Sequence, residues 1–243
     1  MPAEAPPAQT TASSPLKFLG PQWFATVMGL AGLALAWTAA VPQMGSAARW
    51  VALGIGALAV LVFAGLLALN IRREQLHPEA LSADLNHPVR HAFLAALPVS
   101  LILLATLGAA LFGAAVAWLV LWLLGCVMQF AVTLWVLSRW TRVNVPGGFQ
   151  WPGITPVLII PVVGNVLAPL AGVALGEPGW AAAQFGLGAL LWPAVIVLLF
   201  VRIGVQGPWP ERLLPSAFIT VAPPAVIGLA LLPLGAGPAW SQA

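Results

Sequence analysis

WPGITPVLIIPVVGNVLAPLAGVALG (Trp151–Gly176) is long enough and apolar enough to cross a bilayer, yet Pro156, Pro161 and Pro169 interrupt it. A proline in a helix removes a backbone donor, frees a carbonyl and bends the axis. In hydrocarbon such breaks persist only where neighbouring helices or a water-lined cavity satisfy the freed groups. The same composition recurs downstream, with Pro193 in the next apolar stretch and Pro223, Pro224 and Pro233 in the one after. Repeated bends of this kind predict helices wrapped around a central path.

Composition supports a membrane fold independently. Hydrophobic residues make up 61% of the 243 residues and charged residues only 6%. Mean hydropathy is +0.99. A soluble domain carries about 25% charged residues, so there is too little charge here to wet a globular surface. The sequence predicts an all-α integral membrane protein of seven spans: Phe18–Val41, Ala48–Ile71, His91–Phe112, Ala114–Ser138, Thr155–Gly176, Trp180–Gly204 and Ala217–Leu234. Each lies near the roughly 20 residues a crossing requires. Residues 16–235 would form the transmembrane domain, with a disordered cytoplasmic tail at 1–15 and a short tail at 236–243. The first apolar run is too long for a cleaved secretory signal, and only Lys17 stands before it.

Positive charge sets the expected orientation. Lys17, Arg72, Arg73, Arg90, Arg139, Arg142, Arg202 and Arg212 fall on one side of the seven spans, and Arg49 alone on the other. That asymmetry predicts an amino terminus in the cytoplasm; the expected location is a bacterial-type inner membrane, crossed several times. Trp50, Trp140, Trp151, Trp180, Trp209 and Trp240 lie near span ends, where an aromatic belt is expected. Pro98 bends the third span, and prolines punctuate the fifth and seventh, while the second and fourth have none. The first carries Gly29 and Gly32, which permit close packing. Bent odd helices inside and straighter even helices outside are the expected arrangement.

Four stretches resemble one family in combination: GFQWPGITPVLIIPVVGNVLAPLAGVALG (Gly148–Gly176), PWPERLLPSAFITVAPPAVIG (Pro208–Gly228), WFATVMGLAGLALAW (Trp23–Trp37) and NHPVRHAFLAALPVS (Asn86–Ser100). They are similar to the tellurite-resistance/dicarboxylate-transporter family, which includes TehA and the plant slow-type anion channels. The resemblance implies a ten-helix protomer, usually trimeric, whose five odd helices line a narrow pore. It implies conduction of small monovalent anions or, in transporter members, proton-linked movement of C4-dicarboxylates or other organic acids. A tellurite-related role belongs to the same resemblance. The family's gate phenylalanine comes from a ninth helix, and that part is assigned to no phenylalanine of this sequence. The chain departs from the pattern by ending after a seventh span. An incomplete gene record is the expectation; a partner supplying the remaining helices and a rearranged seven-span variant are the alternatives.

Pore-lining candidates are the small, hydroxyl, amide and helix-breaking residues of odd spans: Thr26, Gly29, Pro98, Ser100, Pro161, Asn165, Thr220 and Pro223. Asn165 would either hydrogen-bond a passing anion or satisfy a carbonyl freed by proline. Thr26, Ser100, Thr106 and Thr220 would line a path or bond back to their own helices. Gln129 and Gln184 fall in even spans and read as outer packing. Arg90, His91, Arg202 and Arg212 would concentrate anions at the cytoplasmic mouth, or serve only topology and headgroup contact. No charged side chain sits well inside a span, which favours weak anion binding assisted by helix dipoles over a dicarboxylate site.

Other classes fit poorly. His77, His87 and His91 share one loop with Glu74, Glu79 and Asp84, but their spacing matches no metal motif. Cys126 is the single cysteine, so no disulfide or redox pair exists. Phosphate loops and nucleophile elbows are absent, so no enzyme, cofactor or metal is expected. Lys17 is the only lysine and precedes the first span, which excludes a retinal Schiff base. The sparse basic residues make no nucleic-acid footprint. The expected partners are the lipid bilayer, small anions and further copies of the chain; a non-conducting assembly subunit is the reading from another class.

Overall fold

The computed structural model describes residues 15–142 and 150–236. The two expected tails therefore lie outside the described residues except for Pro15 and Ala236, and Trp240 lies outside them too. The described residues are helical, with six helices long and apolar enough to cross a membrane. These are Pro21–Ala39, Ser46–Leu76, Arg90–Phe112, Val116–Trp140, Pro178–Gln206 and Glu211–Leu231, here the first, second, third, fourth, sixth and seventh spans. The chain is an all-α, multi-pass membrane protein.

The fifth span differs from a plain helix. It runs as a 3-10 turn at Pro156–Leu158, an α segment at Ile159–Val163, another 3-10 turn at Gly164–Leu167 and an α turn at Pro169–Gly172. Proline placement explains the pieces. Pro156 and Pro169 stand at the starts of their segments, where the missing N–H has no intrahelical acceptor to lose. Pro98 likewise falls in the first turn of Ala96–Phe112, after a 3-10 stretch at Arg90–Ala95. Pro223 opens Ala222–Leu231 in the same way. Most of these prolines restart a helix and do not kink its interior. Pro193 is an exception, lying inside the unbroken helix Pro178–Gln206.

Burial is uneven among the odd spans. The third is 78% buried over its most apolar window, against 22% for the first and 11% for the seventh. The fifth is buried along nearly its whole length, from Ile154 to Val163, at Asn165 and Val166, and again at Ala168, Pro169, Ala171 and Gly172. The third and fifth spans therefore form the core, and the fourth and sixth pack over it. Glycines allow the closest approaches. A Cβ on Gly125 would stand 3.0 Å from the Ile102 backbone nitrogen, and one on Gly188 would stand 2.9 Å from that of Val166. Gly113, at φ 85°, makes the tight turn between the third and fourth spans.

Candidate functional site

A cavity of about 300 Å³ lies where the odd spans converge. Met28 and Gly32 bound it from the first span, and Val99 and Leu103 from the third. Ile159, Ile160, Val163, Gly164, Val166 and Leu167 come from the broken fifth span, and Ile219, Ala222, Pro223 and Val226 from the seventh. No even span contributes a lining residue, and none of these side chains is charged. A cavity of about 380 Å³ between the second, third and fourth spans, and one of about 310 Å³ between the sixth span and the Trp209–Thr220 stretch, lie outside this convergence.

Behind the cavity wall, the fourth and sixth spans present polar groups to the fifth. The buried positions of the fourth, Trp122, Gly125, Cys126, Gln129, Thr133 and Val136, repeat at helical spacing and make one inward stripe. From that stripe the Trp122 indole donates to the Ala168 carbonyl at 3.1 Å. The Gln129 amide donates to the Ile160 and Pro161 carbonyls at 3.1 and 3.0 Å. The Thr133 hydroxyl makes close contacts with the Pro161 carbonyl at 2.6 Å and the Gln129 carbonyl at 2.8 Å. Asn165 donates to Thr133 Oγ1 at 2.8 Å and to the Val162 carbonyl at 3.2 Å, and accepts from the Gln184 amide at 3.2 Å. Gln184 also donates to the Cys126 carbonyl at 2.8 Å. The amide oxygens of Gln129 and Gln184 are buried with no hydrogen-bond partner among the described residues.

The expected pore residues are dispersed relative to the cavity. Pro223 lines it, and Pro161 and Asn165 lie buried in the span that forms its wall. The side-chain amide of Asn165 makes the bonds described above. Ser100 is fully buried and its hydroxyl contacts the Phe24 and Ala96 carbonyls, joining the third span to the first. Pro98 is buried in the third span. Thr26 and Gly29 are exposed on the first span. Thr220 bonds to the Ala217 carbonyl of its own turn and faces the smaller outer cavity. Met28, Gly164 and the fifth-span aliphatics were not among the expected lining residues, and Gly32 was expected only to allow close packing, because nothing in an apolar residue's type marks which apolar surface it faces.

The basic end is built from ion pairs and caps. Arg73 and Arg90 both reach the buried Asp84, at 2.6 and 2.8 Å, and Arg73 also donates to the Lys17 carbonyl at 2.9 Å. Two guanidiniums share one carboxylate, so this cluster keeps a net positive charge. Arg202 is buried, donates to the Gly207 carbonyl and lies over Trp209. Trp209 in turn donates to the Ile154 carbonyl at 3.0 Å, fastening the sixth-to-seventh loop to the entry of the fifth span. His91 is buried with Nδ1 2.9 Å from the His87 carbonyl oxygen. Arg212 is exposed. His87 accepts the Val89 and Arg90 N–H groups at Nδ1, both at 3.1 Å. Burial first, then the charges of Arg90 and Arg212, hold its imidazole below the ordinary value, against an opposing pull from Asp84.

Comparison with known proteins matches the sequence to a family. The voltage-dependent anion channel description, SLAC1, fits residues 19–241. An uncharacterized transporter of Methanocaldococcus jannaschii is 28% identical over 227 residues, covering 86% of this chain and 62% of the relative. The chain thus spans somewhat less than two thirds of that relative's length.

Proposed function

The chain belongs to the voltage-dependent anion channel family, and from that premise we propose that it conducts small monovalent anions through the cavity bounded by its four odd spans. The observation that carries the reading is the cavity lining: odd spans alone supply it, and no charged side chain enters it. A dicarboxylate carrier would place an intramembrane arginine or lysine against its substrate. A weakly polar lining suits an ion that must enter and leave quickly, held by backbone dipoles and not by a fixed cation. Arg90 and Arg212 then raise the anion concentration at the basic mouth, which the positive-inside asymmetry assigns to the cytoplasm. Thr26 and Gly29, exposed beside the cavity-lining Met28 and Gly32, belong in this reading to the pore side of the first span. In this reading a further segment or a partner completes the wall of the path, and the assembly is an oligomer in the bilayer.

The test is electrical. Purified protein in planar bilayers, under a potassium chloride gradient, is expected to give currents reversing near the chloride equilibrium potential without a proton gradient. Uptake of an organic acid only under a proton gradient would instead establish the carrier reading. Absence of both fluxes, with the protein correctly inserted, would leave a structural subunit.

A further inference from the structure

We infer that Gln129 and Thr133 of the fourth span act as positioning residues for anion selectivity, by capping the carbonyls of the broken fifth span on the side facing away from the cavity. The inference rests on the proposed conduction and adds a role for residues that line no part of the path.

The α segment gives way to a 3-10 turn at Gly164, so the Pro161 carbonyl lies at the break, next to the Ile160 carbonyl, which still accepts the Gly164 N–H. Carbonyl oxygens carry negative partial charge, and rings of them are the means by which cation filters replace an ion's hydration shell. A broken helix beside an anion path therefore carries a hazard, because each freed carbonyl that turns toward the path favours cations. In this chain, donors from the outer layer engage carbonyls at and beside the breaks. The Gln129 amide holds Ile160 and Pro161, and the Thr133 hydroxyl contacts Pro161 again. Trp122 adds a second donor to the Ala168 carbonyl, which also accepts the Gly172 N–H at 3.0 Å. All three donors come from the fourth span, which lines no part of the cavity. The cavity receives the other side of the same segment, the side chains of Ile160 and Val163 and the bare face of Gly164.

Gly164 joins the two surfaces. It borders the cavity, and a Cβ there would stand 2.8 Å from Gln129 Nε2 and 3.0 Å from the Val99 side chain. A side chain at this position would push the amide off its carbonyls without deleting any polar group. The residue that leaves the path open is thus the one that lets the outer donor reach the backbone.

The experiment compares reversal potentials of wild-type protein, Gln129→Leu, Thr133→Val, Thr133→Ser and Gly164→Ala in bilayers under a potassium chloride gradient. A purely structural role would change the amount of inserted protein or the number of active channels, not the potential at which current reverses. Gln129→Leu is expected to lower the anion-to-cation permeability ratio by about fivefold, the equivalent of about 1 kcal/mol. Thr133→Val and Gly164→Ala should move it in the same direction by less, and Thr133→Ser should keep the wild-type value. If Gln129→Leu fails to insert, the Thr133→Val and Thr133→Ser pair decides. Conducting variants that reverse where the wild type does would overturn the inference and leave the conduction reading standing. A wild type that carries no anion current would overturn both.

Discussion

The fifth and seventh spans share one proline-rich grammar and live in opposite surroundings. Each combines a 3-10 stretch with α-helical turns, and each has prolines at segment starts. The fifth is enclosed, and donors from its neighbours meet its irregular backbone. In the seventh, Glu211–Val221 has no buried residue, and only Pro223 and Ala230 are buried in Ala222–Leu231. Its hydroxyls serve its own turns, Ser216 to Leu213 and Thr220 to Ala217. A broken helix can thus be fixed by its neighbours or left to satisfy itself. An eleven-residue 3-10 run is long for that geometry, and elements with few buried contacts open at the lowest free energy. The fifth span is the frame of the cavity, and the seventh is the wall best suited to move.

The largest effect expected from this contrast is that of Gln129→Leu. It removes the amide that bonds two buried carbonyls, of which Ile160 keeps the Gly164 N–H and Pro161 the Thr133 hydroxyl; each lost hydrogen bond costs about 0.5–1.5 kcal/mol. The variant should lose about 2 kcal/mol of stability, read as a lowered thermal midpoint in detergent. Thr220→Val in the seventh span removes a bond within one turn and should stay within about 0.5 kcal/mol of wild type. Equal losses at the two sites would show that the spans are held alike.

A glycine pair sharpens the same contrast. At Gly188 a methyl group would meet Val166 Cγ1 at 2.7 Å and the Val166 backbone nitrogen at 2.9 Å, with the Val163 carbonyl at 3.1 Å. Backbone cannot yield as a side-chain tip does, so Gly188→Ala should cost about 1–2 kcal/mol by overpacking. At Gly228 in the seventh span a methyl group meets nothing within 4 Å. There Gly228→Ala should raise stability by about 0.5 kcal/mol through helix propensity alone. Opposite signs for two identical substitutions are the expected result, measured by the same melts.

Thr133→Val is the smaller test of the frame. Pro161 keeps its Gln129 donor, so the loss should be about 1 kcal/mol. The variant nonetheless leaves Asn165 without the Thr133 hydroxyl as acceptor. Coupling between Thr133→Val and Asn165→Ala in a double-mutant cycle would show that the two act as one network. Strict additivity would break it into separate bonds.

How far this was legible in the sequence varies residue by residue. Prolines and span lengths announced the membrane fold, because both act through local backbone chemistry. The same signals placed the break in the fifth span, although Thr155–Gly176 folds as several short segments and not as one crossing helix. The inward stripe of the fourth span was also readable in principle, since Trp122, Cys126, Gln129 and Thr133 recur at helical spacing. What spacing cannot supply is the neighbour on which a stripe lands. Gln129 and Gln184 therefore read as packing residues, although their amides bond carbonyls in the core. Arg202 shows the converse: its charge reads as topology from sequence, but its long side chain curls back onto Gly207 and Trp209. Which apolar residues face the cavity depended wholly on how the spans were brought together.

The smallest expected effect is one of pH, and it falls where the seventh span meets the basic end. His87 caps the loop before the third span in its neutral form, because Nδ1 accepts two N–H groups there. Burial, Arg90 and Arg212 depress its pKa from the ordinary 6.5, and Asp84 opposes them. The opened loop frees the ring to titrate near 6.5, so it binds more protons than the closed loop just below that pH. Linkage then makes the cap fully effective above about 6.5 and progressively lost as pH falls toward the depressed value. Protonation also puts a new positive charge within reach of Arg212, in the first turn of the seventh span. Hydrogen exchange corrected for intrinsic rates should therefore show weakened protection at Val89, Arg90 and the residues after Arg212 at about pH 5.5 relative to about pH 7.5. Protection around Asn165 and Val166 should not change, since no titratable group touches that network. An acid-induced loss that spread equally into the fifth span would show that the two broken helices move together, and the division into frame and moving wall would fall with it.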